Sequence, residues 1–145
     1  MPENNDFQFV DTNIIIYAYD ISHIEKRERA RSLLADLWES GLGCVSIQVL
    51  QELYVNLTMK IPKPLSPETA ARILADLGQW RLHVPGLESI LEAADIQQRN
   101  RLSFWDAMII CSAKTLKCRT IWTEDLYTEQ CYENVQAVNP FAQSI

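Results

Sequence analysis

Along the chain, short runs of β-prone apolar residues alternate with longer stretches in which apolar positions recur every three or four residues. The first run is Phe7–Asp11 (FQFVD), and the apolar segment Ile14–Ala18 follows after only Thr12 and Asn13. That pattern predicts a strand that ends at Asp11 and turns directly into a helix. In EKRERARSLLADLWES, Ala30, Leu33, Leu34, Leu37 and Trp38 form one apolar stripe, and Gly41 supplies a stop signal. Gly43–Ser46 (GCVS) predicts a brief strand. The helical period returns from Ile47 through Leu50, Leu53, Tyr54 and Leu57, ending before the proline-rich connector IPKPLSP. Ser66 with Pro67 predicts a capped helix to about Leu77. A strand at Arg81–Pro85, a helix at Leu87–Arg99 (through Leu87, Ile90, Leu91 and Ala94) and a helix opened by Ser103 come next. Strands at Arg119–Thr123 and Val135–Val138 close the pattern.

Strands alternate with helices throughout, and no internal repeat or low-complexity tract interrupts them. Successive βα units predict an α/β fold of three layers, a central parallel sheet flanked by helices. In such sheets ligands bind beyond the carboxyl ends of the strands, near the point where strand order reverses. Asp11 ends the first predicted strand, and Glu124 and Asp125 directly follow the fourth, so they should face one edge. With 4 Gly and 6 Pro in 145 residues there is no long flexible linker, and residues 1–145 read as one domain.

Composition narrows the class. A chain with 48% hydrophobic and 22% charged residues is neither disordered nor fibrous nor a disulfide miniprotein. Its net charge of −6 argues against nucleic-acid binding by overall field alone. The charge is unevenly spread, however: residues 26–119 hold all 13 bases. Cys44, Cys111, Cys118 and Cys131 form no C-x-x-C pair and read as reduced thiols. The polar N-terminal stretch MPENNDFQF has no basic leader character, and no run reaches membrane-span length. A soluble, cytoplasmic protein with no membrane association is expected.

Four acids stand out by context: Asp11 in FVDTN, Glu52 in SIQVLQELYVNL, Asp106 in SFWDAMII, and Asp125 or its neighbour Glu124 in WTED. Taken singly, each has an ordinary use. Asp11 suits a helix cap, Ser103-x-x-Asp106 suits a capping box, Glu52 suits a solvated helix face, and Asp125 suits a turn. Together they suggest more, because several carboxylates gathered at one edge repel unless a cation joins them. Carboxylate-bound Mg²⁺ or Mn²⁺ activates water and neutralises charge on a leaving oxygen, which is the chemistry of phosphoryl hydrolysis. His23 and His83 lack partners at metal spacing, serine and cysteine nucleophile schemes lack a credible histidine, and no Walker loop or GxGxxG is present.

The ordered segments FVDTNIIIYAYD, SIQVLQELYVNL, LSFWDAMIICSA and IWTEDL followed by AVNPF resemble the PIN-domain family, above all its VapC-like toxins of toxin–antitoxin pairs. The resemblance spans about Phe7 to Phe141. It implies a Mg²⁺-dependent endoribonuclease whose metal site is lined by the acids matching Asp11, Glu52, Asp106 and Asp125. Thr12, Asn13 and Thr123 match supporting positions. The chain departs from many relatives after TEDL, where YTEQC replaces a glycine-containing turn, so Glu124 remains an alternative fourth acid. The resemblance further implies an RNA substrate, a cognate antitoxin and a homodimer.

Rival readings are a PIN-fold module that binds without cleaving, a non-toxin nuclease, and a phosphatase or receiver domain. The phosphatase and receiver readings fit poorly, since Asp11-Thr12-Asn13 lacks the second acid of an Asp-x-Asp pair and no lysine follows the fourth strand. Arg27, Arg29, Arg31, Lys60, Lys63, Arg99 and Arg101 are candidates for RNA contact. Trp38, Tyr54, Leu57 and Trp80 suit either an interface or the core.

Overall fold

A computed structural model describes residues 6–142; the first five residues of the polar N-terminal stretch and the last three of the chain lie outside them. The chain runs β1 (Gln8–Val10), α1 (Thr12–Tyr17), α2 (Ile24–Ser40), β2 (Gly43–Ser46) and α3 (Ile47–Val55), which continues into a π-helical turn at Asn56–Lys60. After the connector come α4 (Pro67–Leu77), β3 (Arg81–His83), α5 (Leu87–Asn100), α6 (Phe104–Thr115), β4 (Thr120–Trp122), β5 (Cys131–Tyr132) and β6 (Val135–Val138). The six strands form one sheet in the order β3-β2-β1-β4-β6-β5. All pairings are parallel except β5 with β6. The two-residue β5 was not predicted. CYEN carries little β signal, and the strand exists by pairing back onto β6 as an antiparallel edge.

Local chemistry sets most boundaries. Gly41 ends α2 at φ 75°, a left-handed conformation that needs no Cβ. Ser46, Ser66 and Ser103 cap α3, α4 and α6 by accepting the backbone N–H three residues on. Ile61 leaves the helical region ahead of Pro62, as the residue before proline must. Gly43 admits the Trp80 ring, since a Cβ there would stand 2.6 Å from Trp80 Cε3.

The core is continuous: Phe9, Val10, Val45 and Ile121 from the sheet meet Ile14, Leu53, Ile96 and Ile110 from the helices, all fully buried. Each such side chain contributes roughly 1.5–3 kcal/mol of burial. Leu57 belongs to this core, whereas Trp38 and Tyr54 remain exposed and Trp38 leans on Trp80 at 6.0 Å between ring centroids. Helix α5 is turned opposite to the apolar stripe that predicts it. Ala93 and Ile96 face the core, while Leu87, Ile90 and Leu91 are 70%, 46% and 59% exposed. Two apolar faces share this helix, and the periodicity through Leu87, Ile90 and Leu91 picks out the exposed one. Among the described residues no helix is long and apolar enough to cross a membrane.

Candidate active site

Strand order reverses between β1 and β4, which lie side by side with Val10 opposite Trp122. Their carboxyl ends therefore deliver Asp11 and Thr123 to the same point, and the Asp11 N–H donates to Trp122 O at 2.9 Å. Asp11 is buried and caps α1, accepting the Thr12 N–H on Oδ1 at 2.7 Å. Its other oxygen, Oδ2, accepts the buried Thr123 hydroxyl at 2.8 Å. Thr123 Oγ1 in turn accepts the Asp125 N–H at 3.0 Å, so one hydroxyl ties two acids of the sequence motif together.

The remaining residues arrive from α1 and α3. The Thr12 hydroxyl donates to Glu52 Oε1 at 2.8 Å, bridging α1 to α3. Asn13 Oδ1 accepts the Glu124 N–H at 3.4 Å, and the Asn13 side chain beside the Asp125 carboxyl lowers its pKa. Asp11, Thr12, Asn13, Glu52 and Asp125 line one open cavity of about 460 Å³. Lys60, a predicted RNA contact, stands on its wall with Gln51 and Asn56, which the sequence reading missed. Spacing carries a signal for Asn56: it lies four residues after Glu52 on one helix face, and its amide donates to Glu52 O at 2.8 Å. The π turn, a widening often found at functional positions, places Asn56 and Lys60 there.

Burial and mutual repulsion shape the acids. The Asp11 carboxyl is pushed up to about 7, chiefly by burial; the hydrogen bonds from Thr123 and Thr12 oppose this, and the charges of Asp125 and Glu52 add to it. Asp125 is an exposed residue, yet partial burial of its carboxyl is the largest cause of its upward shift. The charge of Asp106 is the second.

Asp106 and Glu124 stand apart from the others. Asp106 occupies the first turn of α6, where its N–H is capped by Ser103 Oγ at 3.1 Å. It acts on Asp125 through charge rather than as part of the cavity wall. Glu124 Oε2 pairs with Lys26 Nζ at 2.8 Å. Of the other basic candidates, Arg99 bonds Glu133 and Arg101 closes α5 in a left-handed conformation. His83 is a core residue whose Nδ1 lies 2.7 Å from Ser112 Oγ, and burial lowers its basicity. All four cysteines are free, with Cys44, Cys111 and Cys118 buried.

The donor set is entirely oxygen, which suits a hard divalent cation, and the Asp11 and Asp125 carboxyls are held above their usual range chiefly by burial. Among the described residues, no three His, Cys, Asp or Glu side chains stand together as a ready ion cage.

A sequence profile of the PIN domain family matches residues 9–131. No curated protein matches the chain in sequence. Solved structures share its fold, among them the following three. A toxin–antitoxin complex from Klebsiella pneumoniae aligns with a TM-score of 0.67 at 18% identity, covering 92% of this chain and 98% of that one. FitAcB from Neisseria gonorrhoeae gives 0.65 at 18% identity, with 94% and 100% covered. VapC20 of Mycobacterium tuberculosis, a toxin that cleaves the sarcin-ricin loop, gives 0.60 at 19% identity, with 81% and 91% covered.

Proposed function

The chain belongs to the PIN-domain family, and on that premise we propose that it is a divalent-metal-dependent endoribonuclease, the toxin of a toxin–antitoxin pair. The observation that carries the reading is the meeting of Asp11, Glu52 and Asp125 around one cavity at the carboxyl edge of the sheet. The Klebsiella pneumoniae toxin–antitoxin complex and the VapC20 toxin support the cellular role, and the former supports an antitoxin partner. VapC20 supports RNA as the substrate. A role on RNA in the cytoplasm is part of the same reading.

Asp11, Glu52 and Asp125 would hold the cation, with Asp106 adding negative charge near Asp125. When bound, a Mg²⁺ or Mn²⁺ ion supplies an activated water and a counter-charge for the scissile phosphate. The chain's own residues hold the arrangement in place. Thr123 and the Thr12 N–H fix both oxygens of Asp11. The Thr12 hydroxyl holds Glu52 in orientation, and Asn13 fixes the Glu124–Asp125 turn. Lys60 offers the phosphate a cation at the cavity wall.

The exposed Leu87, Ile90 and Leu91 of α5 support a homodimer, since adjacent large apolar side chains on a helix face favour cover by a partner. Cleavage of a defined RNA mixture with Mg²⁺ or EDTA tests the nuclease. Retained RNA binding without cleavage would favour the non-catalytic module.

A further inference from the structure

Beside the acidic cavity lies a second, smaller cleft of about 260 Å³, between the first turns of α2 and the turn after β6, lined by Glu25, Lys26, Arg29, Pro140 and Phe141. Its walls carry two kinds of group. Arg29 is exposed, its guanidinium lies 5.8 Å from the Trp122 ring centroid, and it makes no ion pair among the described residues. Phe141 is half-buried and held edge-on by Tyr17 at 5.0 Å between centroids.

Lys26 joins this cleft to the active site. Its ammonium donates to Glu124 Oε2 at 2.8 Å and to Tyr17 Oη at 3.3 Å, and it sits 5.3 Å from the Phe141 centroid. Glu124 directly precedes Asp125 and is fixed to Asn13, so the cation is tethered one residue from the acidic cavity. The acids of the cleft nearly cancel its bases, since Glu25 stands on its wall and Glu124 neutralises Lys26. Attraction therefore comes from donor geometry and an aromatic ring rather than from net field. A planar guanidinium fork suits a phosphodiester, and a fixed aromatic ring suits a nucleobase.

We infer that this cleft binds one nucleotide of single-stranded RNA flanking the cleavage position, with Arg29 on its phosphate, Phe141 against its base, and Glu124 positioning Lys26 between cleft and active site. The inference rests on the nuclease reading for the identity of the polymer. It also assigns Glu124 a place outside the cation's shell.

The test is fluorescence anisotropy of a labelled single-stranded RNA dodecamer in Mg²⁺ buffer across a salt series, in an Asp11→Asn background that keeps the RNA intact. Arg29→Gln should weaken binding and reduce the slope of log affinity against log salt by about 0.7, the value for one phosphate on a single strand. Phe141→Leu keeps apolar bulk against Tyr17 but loses the stacking face. It should weaken binding on the order of tenfold at every salt concentration, and Phe141→Tyr should restore it. An unchanged slope with Arg29→Gln, together with unchanged affinity in Phe141→Leu, would overturn the assignment, as would failure of the parent to bind the RNA at all. Cleavage by the wild-type protein is scored separately. Cutting with indifferent cleft variants sinks only the cleft. Binding that depends on the cleft, without any metal-dependent cutting, sinks only the nuclease.

Discussion

The Thr123 hydroxyl donates to Asp11 Oδ2 at 2.8 Å, joining residues 112 positions apart. Because Thr123 Oγ1 also accepts the Asp125 N–H, one hydroxyl orients an acid from β1 and the turn that follows β4. Thr123→Val keeps the shape and removes both bonds. The Asp11 carboxyl then loses the largest influence that lowers its pKa. Loss of such supporting partners typically costs 10–100-fold in metal affinity or activity. The pH–rate profile should also move its acidic limb upward; an unmoved limb would mean that Thr123 only packs.

Stability of the metal-free protein should fall as pH rises from about 4 to 7. Asp11 has a folded pKa of about 7 against an ordinary value of 3.8, so between these values the folded state binds more protons than the unfolded one. The stabilisation is complete below the lower value and lost as pH passes the upper. It amounts to at most about 4 kcal/mol at 1.36 kcal/mol per unit. Thermal melts in EDTA across that window should show the decline, and Asp11→Asn should flatten it. Added Mg²⁺ should raise the melting temperature more at pH 8 than at pH 5, because protons compete with the cation for the same carboxyl.

The Thr12 hydroxyl holds Glu52, an exposed residue on α3, by a 2.8 Å bond. Thr12→Val should leave Glu52 free to turn outward. Mg²⁺ affinity measured by calorimetry should drop roughly 10–100-fold with little change in melting temperature. Equal affinity in the variant would place Glu52 outside the cation site.

Asp125 and Glu124 should separate cleanly. Asp125 lines the cavity, whereas Glu124 pairs with Lys26. Asp125→Asn should reduce cleavage by about a hundredfold or more, as loss of an electrostatic group in an active site commonly does. Glu124→Gln should cost about tenfold or less. The reverse order would make Glu124 the fourth acid.

On α5, Leu91→Glu places a charge amid Leu87 and Ile90 without touching Ala93 or Ile96, which face the core. If these leucines cover one another between two copies, sedimentation should show a dimer become a monomer with an unchanged fold. A wild-type protein already monomeric at high concentration would remove the homodimer.

The sequence made the architecture legible because its strands are short, apolar and regularly separated by helical periods, and because serine caps mark helix starts at Ser66 and Ser103. It also placed Asp11 and Asp125 on one edge, since both follow strands that the alternation makes parallel. Less could be read where tertiary context decides. Strand β5 exists only through its pairing with β6, and α5 packs against α6 while Leu87, Ile90 and Leu91 face outward. Lys26 was missed for a similar reason: its partner Glu124 lies 98 positions away, and nothing in the local pattern of α2 distinguishes it from its basic neighbours. The expected capping role of Asp106 is met by half, with Ser103 accepting the Asp106 N–H.

The central claim is tested most directly by cleavage of a defined RNA mixture with purified protein, in Mg²⁺ or in excess EDTA, beside Asp11→Asn. The account predicts cutting that requires the metal and disappears in the variant. Cutting that survives both EDTA and Asp11→Asn would contradict it, because neither the cation nor the buried carboxyl at the end of β1 would then take part in the reaction.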